Sequence, residues 1–185
     1  MVREKTGQRL SREDWLENAL IVLSKKGQAG LRIQGLCEAL GVSRGSFYWH
    51  FKDRNDFIQK LVRYWYEKHT NAPTAVERDG GSAEERLARL IRLVHDRDLT
   101  RHDLTIRSLA AFDPKVAKWV RKAVRFRLDF IQSLFVEMGF TENEVRIRAR
   151  VCLAYMTSEH RLFDVFDRKH RSDLVDDLHA FLVRK

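Results

Sequence analysis

Within residues 41–54, GVSRGSFYWHFKDR, the chain sets four aromatic side chains, Phe47, Tyr48, Trp49 and Phe51, among Arg44, His50, Lys52 and Arg54. Hydroxyl, imidazole, guanidinium and ammonium groups are hydrogen-bond donors suited to phosphate oxygens and base edges, so the chemistry on offer is recognition of a nucleic acid. Helical spacing sorts the set. Phe47 and Phe51 are four apart, share a face, and with Val42 are expected to pack inward. Arg44 and Ser46 fall on the first turn, where base contacts are made, and Gly45 between them has no side chain to hold the backbone off DNA. Glycine in a helix costs about 1 kcal/mol relative to alanine, so its presence needs an offsetting reason. Tyr48, His50, Lys52 and Arg54 are expected to reach phosphates, and Trp49 is read either as packing or as DNA contact.

The elements that must hold these residues are short. A helix over residues 33–40 ends before Gly41, which suits a left-handed turn, and Ser43 caps a second helix over 43–51. Two short helices joined by a glycine turn make a helix-turn-helix, whose second member enters the major groove while the first crosses the backbone. Nine residues span roughly 13 Å, enough to cross a groove about 12 Å wide.

The run LGVSRGSFYWHFKDRNDF resembles the N-terminal signature of the TetR family of transcriptional regulators, and the resemblance extends over residues 10–66. It implies that Arg32 and Gln34 touch phosphate or a base, that Arg44, Gly45 and Ser46 read bases, and that Tyr48, His50 and Arg54 clamp phosphates. Arg32 stands where many members place threonine. The resemblance also implies a helical C-terminal part that senses a small molecule and dimerises through its last two helices, four from the two subunits together.

Around this motif the chain reads as all-α. Its 185 residues are 44% hydrophobic and 33% charged, with two prolines and nine glycines, a balance that suits a folded, helix-rich protein. Helix starts recur as a Ser or Thr cap with an acidic residue three positions on and an apolar pair around them: Leu10-Ser11-Asp14-Trp15, Leu99-Thr100-Asp103-Leu104 and Phe140-Thr141-Glu144-Val145. Ser82 with Glu85, Asp113 before Pro114, and Ser172 mark further starts, and Gly27 suits a left-handed stop to the first helix. About nine helices result, with residues 71–82, NAPTAVERDGGS, as the longest loop. We expect an N-terminal helix-turn-helix domain over 1–54, a ligand-binding and dimerisation domain over 55–185, and a connecting helix over about 53–70.

The net charge of +9 favours anionic partners. Residues 1–70 hold 13 Lys and Arg against 8 Asp and Glu, the remainder 22 against 18. The arm REKTGQR, with Arg3, Lys5 and Arg9, suits a solvated tail or a minor-groove contact. Cys37 and Cys152 match no metal-ligand spacing, and neither a metal nor a cofactor is expected; near the C-terminus His160, Asp164 and His170 read as a solvated helix end. No apolar run reaches the roughly 20 residues of a membrane span, and no apolar signal core is present, so a cytoplasmic protein is expected.

In the larger C-terminal part, candidate ligand-binding residues are His95, Arg107, Trp119, Phe126, Tyr155 and His160. Candidate dimer-interface residues form two apolar stripes: Val145, Ala149, Cys152 and Met156, then Leu174, Leu178 and Phe181. The expected function is a sequence-specific regulator of double-stranded DNA, a homodimeric repressor released from a palindromic operator by a small-molecule effector. The alternatives are a sequence-independent architectural DNA-binding protein and a helical enzyme using His and carboxylate groups of the C-terminal domain. Against the enzyme stands the lack of a nucleophile elbow, phosphate loop or zinc signature.

Overall fold

The computed structural model describes residues 10–162 and 168–185, and among these the side chains of all but 160–162 and 168–173. The described residues are all-α: α1 Arg12–Lys26, α2 Ile33–Leu40, α3 Arg44–His50, α4 Arg54–His69, α5 Ala72–Arg78, α6 Ala83–Asp96, α7 Asp103–Ala110, α8 Pro114–Glu137, α9 Glu142–Leu162 and α10 Arg168–Val183, with a 3-10 turn at Gly27–Leu31. No helix among them is long and apolar enough to cross a membrane.

Local chemistry sets most of the helix starts. Ser11 and Asp14 form a reciprocal capping box on α1, and Ser82 with Glu85 does the same on α6. Asp113 accepts from the backbone N–H groups of Lys115 and Val116 at the start of α8. At α9 the Glu144 carboxylate accepts from both the backbone N–H and the hydroxyl of Thr141. The sequence reading fails at three places. Thr100 does not cap α7, because its hydroxyl is buried and donates to the Met156 carbonyl at 2.6 Å instead. Ser172 lies inside α10 rather than at its start. Residues 71–82 are not one loop: Ala72–Arg78 is helical, with Pro73 in the first turn where its missing N–H costs nothing, and the chain breaks only at Gly80 and Gly81.

Compactness divides the chain into two units, Met1–Lys68 with Thr105–Val120, and His69–Leu104 with Arg121–Lys185. In the first, Trp15, Phe47, Phe51 and Phe57 meet as an aromatic cluster, with Trp15 and Phe47 at 5.7 Å, Phe47 and Phe51 at 5.1 Å, and Phe51 and Phe57 at 5.0 Å between ring centroids. All four are buried. The Trp15–Phe47 and Phe51–Phe57 pairs meet edge to face and the Phe47–Phe51 pair is tilted; edge-to-face pairs add about 0.5–1.5 kcal/mol each beyond the area they bury. α1 is also tied to α4 by the Tyr64 hydroxyl donating to Glu17 at 2.8 Å and by the exposed pair Lys68–Glu13.

In the second unit Leu87, Leu90, Ile91, Ile131, Leu134, Phe135, Ala149 and Cys152 form the core. Along α8 the buried Val116, Val120, Ala123, Arg127, Ile131 and Leu134 fall at spacings of four, three, four, four and three, with Phe135 buried beside Leu134, so an arginine occupies a core position. Arg127 is ion-paired with Asp103, itself 2% exposed, and donates to the His69 carbonyl at 2.7 Å. A buried charge needs such a partner, since desolvation alone costs several kcal/mol.

Two outcomes follow from this packing. Phe47→Ala is expected to lower stability by about 3–5 kcal/mol, read as a shift of the urea midpoint at unchanged slope. Asp103→Leu is expected to cost about 3–5 kcal/mol by stranding the Arg127 charge, and adding Arg127→Met to recover much of that loss. A double variant no more stable than Asp103→Leu would show that the pair is not the source of the cost.

Candidate functional site

The motif is built on a turn that only some residues can make. Gly41 sits at φ 64, ψ 32, in the left-handed region, and its N–H bonds the Glu38 carbonyl while the N–H of Val42 bonds Cys37. This paired closure ends α2 and redirects the chain. Ser43 then caps α3, its hydroxyl accepting from the Ser46 N–H at 3.3 Å. Beneath the turn the Cys37 thiol donates weakly to the Ser43 carbonyl at 3.8 Å. Burial pushes that thiol up, against a smaller downward pull from the Arg44 guanidinium.

α3 is seven residues long and divides by face as its spacing predicts. Phe47 and the following Phe51 are buried; Arg44, Gly45, Tyr48 and Trp49 are exposed, Tyr48 by 48% and Trp49 by 69%, and Ser46 is half-buried. Tyr48 is braced edge-on against Phe47 at 5.4 Å, which holds its ring while leaving half of it outside. A Cβ built on Gly45 would have, beyond the helix backbone, only the Ser43 hydroxyl oxygen within 4 Å, at 3.7 Å. Nothing inside the fold therefore demands glycine there.

The flanking groups lie on the same motif. Arg32 is exposed at the N-cap of α2 and makes no side-chain cap, since a guanidinium cannot accept a backbone N–H. Gln34 is exposed and donates to Glu38 at 2.9 Å. Lys52 and Arg54 are exposed at the start of α4, where Asp53 accepts from the Asp56 N–H and Asp56 accepts from the Lys52 N–H and the Lys60 ammonium. These bonds, the Lys60 one first, hold the Asp56 carboxyl below its usual range. His50 is half-buried, with Nε2 at 2.9 Å from the Leu10 carbonyl. A carbonyl only accepts, so Nε2 carries a proton and ties the end of α3 to the start of α1. The sequence reading of His50 as a phosphate donor missed this fixed bond. The arm with Arg3, Lys5 and Arg9 lies outside the described residues.

The ligand candidates divide between the two units, Arg107 and Trp119 in the first and His95, Phe126, Tyr155 and His160 in the second. Arg107 is exposed on α7, and Trp119 packs on Tyr66 at 5.2 Å between ring centroids. Phe126 is 37% exposed, on the face of α8 away from its buried stripe. His95 lies 3.3 Å from Asp96, Tyr155 is half-buried on α9, and the side chain of His160 lies outside the described residues, as do those of Asp164 and His170. None of the five described candidates borders the cavity of the second unit, which His69, Thr100, Arg127 and Thr157 border together with aliphatic side chains. Arg127, Thr100 and Thr157 were not among the lining groups of the sequence reading; the signal for Arg127 was its place in the buried stripe of α8.

The dimer candidates need a correction. Val145, Ala149, Cys152 and Met156 belong to the core of their own unit, because α9 turns that stripe inward, and burial pushes the Cys152 thiol up to about 12. The outward face of α9 carries Ile147 and Val151, 62% and 43% exposed, with Ala154. On α10 the stripe read from sequence does face outward in part: Phe181 is 69% and Leu174 38% exposed, while Leu178 is half-buried. Ile147, Val151 and Phe181 border an open groove of about 600 Å³. Among the described residues no group of three His, Cys, Asp or Glu could hold a metal ion.

Residues 16–61 match the family model described as bacterial regulatory proteins, tetR family. The HTH-type transcriptional regulator AcrR of Shigella flexneri is 35% identical over 51 residues, 28% of this chain and 24% of AcrR, so the matched segment spans about a quarter of that relative. Among solved structures, the TetR-family transcriptional regulator PfmR of Thermus thermophilus is similar with a TM-score of 0.73 at 19% identity, over 95% of this chain and 96% of that one. A transcriptional regulator of Saccharomonospora viridis in complex with choline is similar at 0.70 and 20% identity, over 92% of each chain. At such identities the structures speak for the fold alone, and it is the capped, glycine-turned motif within residues 16–61 that carries the similarity to the tetR family of bacterial regulatory proteins.

Proposed function

We propose that the chain is a sequence-specific, DNA-binding transcriptional regulator of the cytoplasm, a homodimeric repressor released from a palindromic operator by a small molecule. The observation that carries this reading is the divided face of α3: two phenylalanines anchor it while Arg44, Gly45, Tyr48 and Trp49 stay exposed on one short helix. In the reading, Arg44 and Ser46 reach base edges, the bare backbone at Gly45 admits close approach, and Arg32, Gln34, Tyr48, Trp49, Lys52 and Arg54 contact phosphate or base from either side. His50 acts by holding α3 against the chain at Leu10 and meets phosphate only through its other ring nitrogen. The domains are a helix-turn-helix domain over residues 1–54 and a sensing and dimerising domain over 55–185, with the helix over about 53–70 as connector. A fold neighbour crystallised with choline supports a small-molecule effector for this architecture.

Selection from random duplexes tests the reading. Enrichment of a palindrome with half-sites about one helical turn apart is the expected result; equal binding to all duplexes, with only a steep salt dependence, would favour an architectural role instead. On the enriched site Arg44→Ala is expected to relax one position per half-site by about 1–3 kcal/mol, whereas Tyr48→Phe weakens all sequences alike. Gly45→Ala is expected to change stability by no more than about 1 kcal/mol while weakening DNA binding. A Gly45→Ala protein that binds the site as tightly as the parent would remove the close-approach argument.

For the dimer, the outward face of α9 and α10 is the proposed interface, with Ile147, Val151, Leu174 and Phe181 at its centre. An exposed apolar patch with a polar rim is self-complementary across a two-fold axis. Ile147→Glu is expected to convert a dimer to a monomer in sedimentation equilibrium. An unchanged dimer would place the contact elsewhere.

A further inference from the structure

The side of α8 turned away from the core carries one sign of charge. Val116, Val120, Ala123 and Arg127 are buried on the inward side, while Lys115, Lys118, Arg121, Lys122 and Arg125 are all exposed. Steps of three and four from Lys115 through Lys118 and Lys122 to Arg125 keep these side chains on one stripe, with Arg121 at its edge. The stripe runs about 15 Å along the helix. Residues 114–128 contain no Asp or Glu.

Folding does not account for this arrangement. On α4 the chain pairs its cations one turn apart, Lys60 with Asp56 and Arg63 with Glu67. Among the described residues the side chains of Lys115, Lys118, Arg121 and Arg125 make no hydrogen bond or ion pair. Like charges at such spacing destabilise a helix by about 0.2–0.5 kcal/mol per pair. An anion laid along the stripe would reverse that sign.

The position of the stripe's first turn favours one polyanion. The start of α8 belongs to the same unit as the helix-turn-helix. Asp113, which caps α8, accepts from Gln59 of α4 at 3.4 Å, and Gln59 stands five residues, about 7.5 Å of helix rise, beyond Arg54 where α4 begins. Lys115 and Lys118 therefore follow directly on a residue tied near the end of α4 that carries Lys52 and Arg54. A bilayer surface is the other extended polyanion, but α8 has turned its apolar side into the core and leaves only Phe112, ahead of the helix, as an exposed ring to insert. Firm membrane anchoring takes more than a basic patch.

We propose that the cationic face of α8, from Lys115 to Arg125, is a second, sequence-independent DNA contact that holds phosphates flanking the half-site read by α3. The proposal rests on the DNA-binding reading above and adds a surface outside the helix-turn-helix.

The test uses the full chain and the enriched palindrome in two forms, bare and extended on both sides by arbitrary sequence, with affinity measured over a range of salt. The parent is expected to bind the extended duplex about ten-fold more tightly at low salt, whatever the flanking sequence, and with a steeper salt slope, since each neutralised phosphate adds about 0.9 to it. The variant Lys115→Gln, Lys118→Gln, Lys122→Gln, Arg125→Gln is expected to bind the bare palindrome as the parent does, with an unchanged or higher Tm, and to lose both the gain and the extra slope. Replacing the three lysines by arginine instead is expected to retain them. A parent that gains nothing from the flanks, or a glutamine variant that keeps the gain, would overturn the proposal while leaving the enriched palindrome, and the reading beneath it, in place. Should no palindrome be enriched, that reading fails, and the surface is still tested by whether the glutamine variant has the shallower salt slope on arbitrary duplexes. Sedimentation with phosphatidylglycerol vesicles that the glutamine variant loses, without any flank effect, would assign the face to a membrane and overturn the DNA contact.

Discussion

The N-terminal unit depends on one packing arrangement, the aromatic cluster of Trp15, Phe47, Phe51 and Phe57. A helix of seven residues has no stability of its own in water, because nucleation costs more than its few hydrogen bonds return. α3 persists because Phe47 and Phe51 are locked against rings from α1 and α4. The cluster also makes the face opposite the rings available. With Phe47 and Phe51, four residues apart, committed inward, Tyr48 and Trp49 between them are held outward at fixed angles, and Tyr48 is braced by the edge of Phe47 without being covered. Recognition by such a helix depends on rigidity obtained elsewhere, and here the His50 bond to Leu10 adds a second fixed point at the far end of α3.

This half of the molecule was legible in the sequence because its determinants are local. A Ser cap, a glycine with positive φ and a pair of phenylalanines four apart act within a dozen residues, and each leaves one reading open. Gly41 and Ser43 behave in the structure as their types require. Gly45 goes further: with ample room for a Cβ inside the fold, its identity has no internal explanation, which turns attention to what approaches from outside. What the sequence could not show was the commitment of His50, since its partner Leu10 is forty residues away.

The second unit was less legible for a physical reason visible in α9. That helix carries two apolar stripes, Val145-Ala149-Cys152-Met156 and Ile147-Val151-Ala154, and periodicity alone does not say which faces the chain's own core. Tertiary packing decides, and it buries the first. The same ambiguity hid Phe126, apolar but outward, and Arg127, charged but inward on the next residue of α8. An arginine is discounted when stripes are drawn by hydrophobicity, yet the spacing Ala123, Arg127, Ile131 is that of a core face. Thr100 fails in the same way: its cap signature was sound in isolation and lost to a buried carbonyl on a distant helix.

The two outcomes on α9 are linked by the physics of surfaces. Because the inward stripe is satisfied by its own chain, the outward one gains nothing from folding and keeps Ile147 and Val151 in water. Apolar area left exposed on a folded unit contributes about 25 cal/mol per Å² only when a second surface covers it. Association through that face would thus draw on free energy that folding has not used, leaving the core around Arg127 and Asp103 unchanged. The inward side of α9, by contrast, contributes Met156 and Thr157 to a cavity where the Thr100 and Thr157 hydroxyls already donate to helix carbonyls. One helix therefore presents a covered apolar stripe inward and an uncovered one outward, and substitutions on the two faces should separate stability from assembly.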